Sequence, residues 1–155
     1  MAGDAPDRAR SGGNQPHIVI AHSSADHGFA GRLTSALRQD GITRWVDDVD
    51  MSAGVLLANW IANATRPVDC VVPTISAASA WSNWVQHELR EVITRSPGGH
   101  HVLMLPARID SSPLPQFLAY HPYIDFYRNG WGQAYDGLVL AVQQRSGDAR
   151  PPTST

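Results

Sequence analysis

The chain has 155 residues and a formal net charge of −2, a length that suits one globular domain. All 12 basic residues are arginines, which excludes lysine Schiff-base chemistry and a P-loop lysine. Only two of the 14 acidic residues are glutamates, Glu88 and Glu91. The near-neutral balance without a basic face argues against nucleic-acid binding.

The two ends differ in composition from the middle of the chain. Residues 1–15 and 146–155 are rich in Gly, Pro, Ser, Asp and Arg, which predicts flexible tails around one domain at 16–145. We find neither a secretory signal nor the roughly 20 apolar residues of a membrane span. Cys70 is the single cysteine and lies in an apolar run, so we expect a packed thiol, no intrachain disulfide and a cytoplasmic location.

The first half of the domain alternates strand and helix patterns. The apolar run at 17–22 predicts the first strand, and the next segment predicts a helix with its N-cap at Asp26 and its stop at Gly41. Residues 42–46 predict the second strand, and 47–54 a polar loop. Apolar spacing predicts the packed helix faces, namely Phe29, Leu33 and Leu37 in the first helix and Leu57, Ile61 and Ala64 in the second.

The second half continues the alternation. Residues 69–75 predict the third strand, in which Pro73 indicates a bulge or a place near the sheet margin. Residues 101–105 and 123–127 predict the fourth and fifth strands. Helices at 82–95 and 131–143 are expected to bury Val85, Leu89, Val92, Ile93, Tyr135, Leu138, Val139 and Val142.

This order of elements predicts the fold class. Apolar strands that alternate with helices are typical of a doubly wound α/β domain, here a five-stranded parallel sheet with helices on both faces. In that architecture ligands bind outside the carboxyl ends of the strands. The loops after Ile20, Val46 and Ile75 are therefore the first candidates for a site.

Motifs of several enzyme and ion-binding classes are missing. The sequence contains no G-x-S-x-G, no G-x-G-x-x-G and no G-x-x-x-x-G-K. An EF-hand that began at Asp48 would need glycine and glutamate where the chain has Ala53 and Asn59. His17, His22 and His27 follow one another at a spacing that fits neither a helix face nor a strand face. We therefore predict no metal site.

The helix at 82–95 carries the most informative carboxylate. Trp84 and Glu88 are four residues apart, so their side chains are neighbours on a helix. An indole beside a carboxylate partly removes water from it, which strengthens its interaction with a cationic or hydroxyl-rich ligand. The alternative is that Glu88 is an ordinary solvated helix residue.

Taken in order, several segments resemble the TIR (Toll/interleukin-1 receptor) domain family, particularly its bacterial members. The resemblance spans about His17 to Val142. Its motifs are the first-strand motif Ile20 to Asp26, the aromatic and acidic run Trp45 to Asp48 followed by Gly54, the third-strand serine Ser76, and the S-x-W-x-x-x-E helix motif Ser82 to Glu88.

The resemblance implies a flavodoxin-like fold and a set of site residues. The catalytic glutamate maps to Glu88. The substrate cleft maps to His22, Ser23, Trp45, Asp47 and Trp84. The BB loop, through which family members associate with themselves or with other TIR domains, maps to Asp48, Asp50 and Gly54. NAD is implied as a substrate, and no cofactor is expected.

One carboxylate suits the implied chemistry. Cleavage of the bond between ribose and nicotinamide builds positive charge on the sugar, as in glycoside cleavage. A carboxylate stabilises that charge, and nicotinamide leaves as a neutral pyridine without a general acid. Glu88 therefore needs no second acidic partner.

Two functions follow from the resemblance. The first is an NAD glycohydrolase or cyclase that releases nicotinamide and ADP-ribose or a cyclic product, in bacterial defence or signalling. The second is a non-catalytic TIR–TIR interaction module or host-signalling mimic. A phosphoryl-accepting receiver domain shares the fold but depends on a lysine, which this chain lacks.

Overall fold

The structure is a computed structural model that describes residues 15–79, 83–95 and 101–148. Among these residues, short 3-10 turns lie at Ser24–Asp26, Met51–Ala53 and Gln116–Leu118. The strands and helices of the described residues are, in chain order, β1 (Ile18–His22), α1 (His27–Gln39), β2 (Val46–Asp50), α2 (Leu57–Ala62), β3 (Cys70–Ile75), α3 (Asn83–Arg95), β4 (Leu103–Met104), β5 (Ala107–Arg108), β6 (Ile124–Asp125), α4 (Phe126–Asn129) and α5 (Trp131–Asp148).

The sheet confirms the predicted fold class. Its strand order is β2-β1-β3-β5-β6, with β4 beside the first part of β3, and the pairings are parallel. Strand order therefore reverses around β1, which lies between β2 and β3. This is the doubly wound arrangement, in which the carboxyl ends of neighbouring strands form the edge where ligands bind.

The described residues contain six strands where five were predicted. The difference is an interruption of the predicted fourth strand, because β4 and β5 pair with β3 in one continuous register, Cys70 with Leu103 and Thr74 with Ala107. In that register Pro73 stands opposite Pro106, and neither residue has an N–H to donate. Contrary to expectation, Pro73 lies inside a central strand and not near the sheet margin.

Successive side chains of β1 point to opposite faces of the sheet, and each face has its own buried cluster. Ile18 and Ile20 pack with residues of α1 and α5, whereas Val19 and Ala21 pack with residues of α2 and α3. Helices thus cover both faces, as predicted. The central residues of these clusters are Leu33, Leu37 and Leu138 on the first face and Leu57, Ile61 and Leu89 on the second.

The second strand begins later than predicted. It runs Val46–Asp50 instead of 42–46, so Asp47 and Asp48 belong to a strand and not to a loop. An edge strand has one neighbour and tolerates outward charges, and both aspartates are exposed. The prediction placed the strand at 42–46 and assigned the aspartates to a loop, because acidic residues are generally depleted in strands.

The ends of other elements also differ in detail. The last helix begins at Trp131 as predicted but continues to Asp148, into the segment expected to be a tail. Ile93 is 38% exposed instead of buried. The predicted tails otherwise lie outside the described residues, as do Ser82 and the side chain of Val85. No helix in the described part is long and apolar enough to cross a membrane.

The buried thiol of Cys70 generates a prediction. Burial raises its pKa to about 12, so the unreactive thiol is the dominant form at neutral pH. We expect an aromatic disulfide reagent to leave Cys70 unmodified in the native protein and to modify it stoichiometrically in denaturant. Fast modification of the native protein, without unfolding, would contradict the packing of β3.

Candidate active site

Asp26 ties together the carboxyl ends of β1 and β3. Its Oδ2 accepts hydrogen bonds from Ser23 Oγ at 3.0 Å and from Ser76 Oγ at 2.5 Å. Asp26 occupies the predicted N-cap position of α1 but makes no side-chain cap bond, because its carboxylate is turned toward the serines. Ser23 and Ser76 came from separate motifs in the sequence, and the fold brings them onto one carboxylate.

Glu88 is buried, with 4% of its surface exposed. Its Oε1 accepts a hydrogen bond from the backbone N–H of Leu57 at 2.6 Å, which links α3 to the first residue of α2. A buried carboxylate needs such a donor to offset the loss of water. The sequence predicted a partly desolvated Glu88 beside Trp84, but the side chain of Trp84 lies outside the described residues, and the contact with Leu57 was not predicted.

The loop after β2 is hydrogen-bonded to the turn that follows β1. Asp50 Oδ1 accepts from the Ser52 N–H at 2.8 Å, and Ser52 Oγ accepts from the Ser24 N–H at 3.0 Å. Gly54 then takes the left-handed conformation, with φ of 76°. The segment 51–56 is thus held at its start and turns at Gly54 before the chain reaches Leu57. Of the three residues expected in the BB loop, Gly54 lies in it, Asp50 ends the strand before it, and Asp48 lies on the strand.

His22 is the last residue of β1 and is 2% exposed. Its Nδ1–H donates to the Ser23 carbonyl at 2.7 Å. Asp48 Oδ1 lies 3.8 Å from Nε2, which is beyond hydrogen-bond range. Ser23 follows β1, is also buried and donates a hydrogen bond to Asp26, so both predicted cleft residues lie at the expected edge of the sheet.

Trp45 and Asp47 lie at the other end of the strands. Trp45 immediately precedes β2 and packs under the Arg66 guanidinium, 4.0 Å from the ring centroid. Asp47 Oδ2 contacts His17 Nε2 at 2.8 Å, just before β1 begins. Their positions do not support the substrate-cleft role that the resemblance implied, because the later start of β2 moves both residues away from the carboxyl ends.

A surface groove of about 650 Å³ runs beside α2. Of the predicted cleft residues, Asp47 lines this groove, whereas Glu88 and His22 do not. Its lining residues are His17, Asp47, Val55, Leu56, Asn59, Trp60, Asn63, Ala64 and Thr65.

Comparison with known proteins decides the family. Residues 18–139 match the family model of the TIR domain. The chain belongs to the TIR domain family. The match covers nearly all of the region that carries the sheet, from β1 to the middle of α5.

A curated bacterial TIR protein is similar in sequence to this chain. It is the 2' cyclic ADP-D-ribose synthase BtTIR of Bacteroides thetaiotaomicron, 29% identical over 91 residues. The matched segment is 58% of this chain and 32% of that protein, so this TIR domain spans about a third of its relative's length. The similarity supports a TIR domain of bacterial type.

A solved structure shows the same fold in an animal protein. The TIR domain of the Toll-related receptor TRR-2 from Hydra magnipapillata superposes with a TM-score of 0.59, covering 83% of this chain and 98% of that domain. Sequence identity is 15%, so the likeness concerns the fold alone.

The Asp26 network leads to a stability prediction. Asp26→Ala leaves the buried Ser76 hydroxyl without its charged acceptor, which should lower the free energy of unfolding by about 1.5–3 kcal/mol. Urea unfolding of the variant and of Asp136→Ala, at an exposed position of α5, measures the difference. Equal urea midpoints for the two variants would show that the hydrogen bonds from Ser23 and Ser76 to Asp26 do not stabilise the fold.

Proposed function

We propose that this TIR domain cleaves the bond between ribose and nicotinamide in NAD, as a glycohydrolase or a cyclase. The observation that carries the proposal is the burial of the Glu88 carboxylate, because an ordinary solvated helix residue would be exposed. Membership of the TIR family and the activity named for the bacterial relative, a cyclic ADP-ribose synthase, support the same reaction.

In the proposed reaction the carbon–nitrogen bond breaks and its electron pair stays with nicotinamide, which leaves uncharged. The resulting cationic ribose is stabilised by Glu88 and is captured by water or by a hydroxyl of the same nucleotide, and in either case the attacking oxygen loses its proton to the solvent. One Glu88 oxygen accepts from Leu57, and the carboxylate's further lone pairs are available for ribose hydroxyls.

The cleft residues predicted near β1 and those predicted near β2 lie at opposite ends of the strands. His22, Ser23 and Trp84 remain our proposed substrate contacts, the first two because His22 ends β1 and Ser23 follows it. Trp45 and Asp47 were also assigned to the cleft, but we do not include them because they lie at the amino ends of the strands.

The burial of Glu88 requires movement before NAD reaches it. Residues 51–56 lead directly to Leu57, whose amide binds the carboxylate, so displacement of this loop would uncover the site. We propose that self-association through the BB loop, at Gly54 and the neighbouring Asp50 and Asp48, drives that displacement. Leu56 is 48% exposed beside Gly54 and offers apolar surface for such a contact.

Glu88→Gln tests the catalytic assignment. Glutamine keeps an oxygen that accepts from Leu57 but removes the negative charge, so the fold should persist while nicotinamide release falls about 100-fold or more. Glu91→Gln changes the other glutamate of the chain on the same helix and should retain activity. The measurement is nicotinamide and ADP-ribose products by chromatography and mass, at high protein concentration.

The two variants separate the hypotheses. Equal NAD cleavage by wild type and Glu88→Gln would refute the catalytic role of Glu88. Intact NAD in all samples, together with TIR partner binding that survives Glu88→Gln, would instead identify a non-catalytic interaction module.

Gly54→Ala tests the role of the loop. An alanine side chain at φ of 76° costs roughly 1–2 kcal/mol, so the backbone at position 54 should change and lose the surface proposed for self-association, while the sheet and the Leu57 contact with Glu88 stay intact. We expect the activity per molecule of wild type to rise with protein concentration and that of Gly54→Ala to stay low. Gly132→Ala is the matched control, since Gly132 lies in α5 without positive φ and without atoms near an added Cβ. Identical concentration dependence in both variants would rule out the loop as the contact.

A further inference from the structure

We propose that His22, His27 and Asp48 form a binding site for a divalent transition metal ion, best suited to zinc. One donor atom of each residue lies within 4.8 Å of the donors of the other two. The three residues come from the end of β1, the start of α1 and the edge strand β2. Glu88 is not one of these ligands, whereas His22 is also a proposed substrate contact and Asp48 a proposed residue of self-association.

The state of His22 is the strongest evidence for a ligand. Its Nδ1 must carry the proton, because the Ser23 carbonyl 2.7 Å away can only accept. Nε2 of the neutral ring therefore presents a lone pair. This atom is buried and has no hydrogen-bond partner among the described residues, which is costly unless something else binds it.

The same contact matches a recurring feature of metal sites. A histidine that binds a metal usually donates its other ring N–H to a backbone carbonyl or a carboxylate, which fixes the tautomer and the ring orientation. The Ser23 carbonyl plays that part here. His22 is thus already held with its Nε2 atom 3.8 Å from the Asp48 carboxylate.

A turn between β1 and α1 brings His22 and His27 together, and a periodic sequence pattern does not reveal such a turn. A five-residue spacing fits no regular helix or strand face, which led us to predict no metal site. The 3-10 turn Ser24–Asp26 reverses the chain between β1 and α1 and leaves the two rings 5.6 Å apart, centroid to centroid. Asp48 is added by the parallel pairing of β1 with β2, in which it stands beside Ile20.

The donor set selects the class of metal. Two imidazoles and one carboxylate suit zinc and similar transition metals, whereas magnesium and calcium prefer oxygen ligands. Donors about 2.0–2.1 Å from a tetrahedral zinc are about 3.4 Å from one another, close to the present separation of His22 and Asp48. His27 and Asp48 are exposed, so their side chains can close on the ion and a fourth position faces solvent.

Zinc titration of untagged, full-length, metal-free protein tests the proposal without NAD. We expect one zinc per chain by calorimetry, tetrahedral visible absorption with cobalt as the probe, and a melting temperature raised by roughly 5–10 °C at zinc about 100-fold above Kd. His27→Gln and Asp48→Asn, both at exposed positions, should each weaken zinc affinity more than about 100-fold, since loss of an outer partner alone typically costs about 10–100-fold.

His101→Gln is the matched control, because it removes an exposed histidine away from the cluster and should leave zinc affinity unchanged. Absence of saturable zinc binding, equal affinity in wild type and in His27→Gln or Asp48→Asn, or magnesium binding as tight as zinc would each overturn the proposal. Because none of these readings involves NAD, their outcome is independent of the test of Glu88.

Discussion

The hydrogen bond from the Leu57 amide to the Glu88 carboxylate is the contact on which the proposed site depends. It stabilises a negative charge inside the layer between α2 and α3, where an unpaired carboxylate would be costly. It also makes the position of the loop after β2 part of the environment of Glu88. Any movement of that loop changes how the carboxylate is bound and how exposed it is.

The segments that follow β1 and β3 at the carboxyl ends of the strands are connected by several hydrogen bonds. Asp26 holds the serines that follow β1 and β3, and Ser24 is bonded to Ser52 at the start of the loop after β2. Between Ser52 and Leu57 the chain passes through Gly54, with its positive φ. The frame of hydrogen bonds thus ends at Ser52, before the segment that leads to Leu57, and the proposed gating by assembly requires movement of that segment.

The sequence predicted the features that depend on local periodicity. Alternating apolar runs were sufficient for the parallel sheet and for helices such as α1, which ends near Gly41 as expected. The errors arose where neighbours along the chain do not decide the structure. Asp47 and Asp48 are acceptable in β2 only because it is an edge strand.

Contacts across the chain were beyond the reach of sequence patterns. The partner of Glu88 is a backbone amide 31 residues away. Because every residue except proline has a backbone N–H, the residue type does not show which amide donates the hydrogen bond. The cluster of His22, His27 and Asp48 likewise depends on a turn and a strand pairing together. The motif directed attention to Glu88 from the sequence alone, whereas its burial and its contact with Leu57 became visible only in the fold.

The most direct test of the account separates NAD binding from NAD cleavage in a single variant. Calorimetry with Glu88→Gln, at a protein concentration where wild type is active, should show NAD bound within a few-fold of its wild-type affinity while nicotinamide release is lost. That result would mean that Glu88 acts on the reacting sugar and not on the fold or on docking. Release of nicotinamide at the wild-type rate by the folded variant would contradict the account.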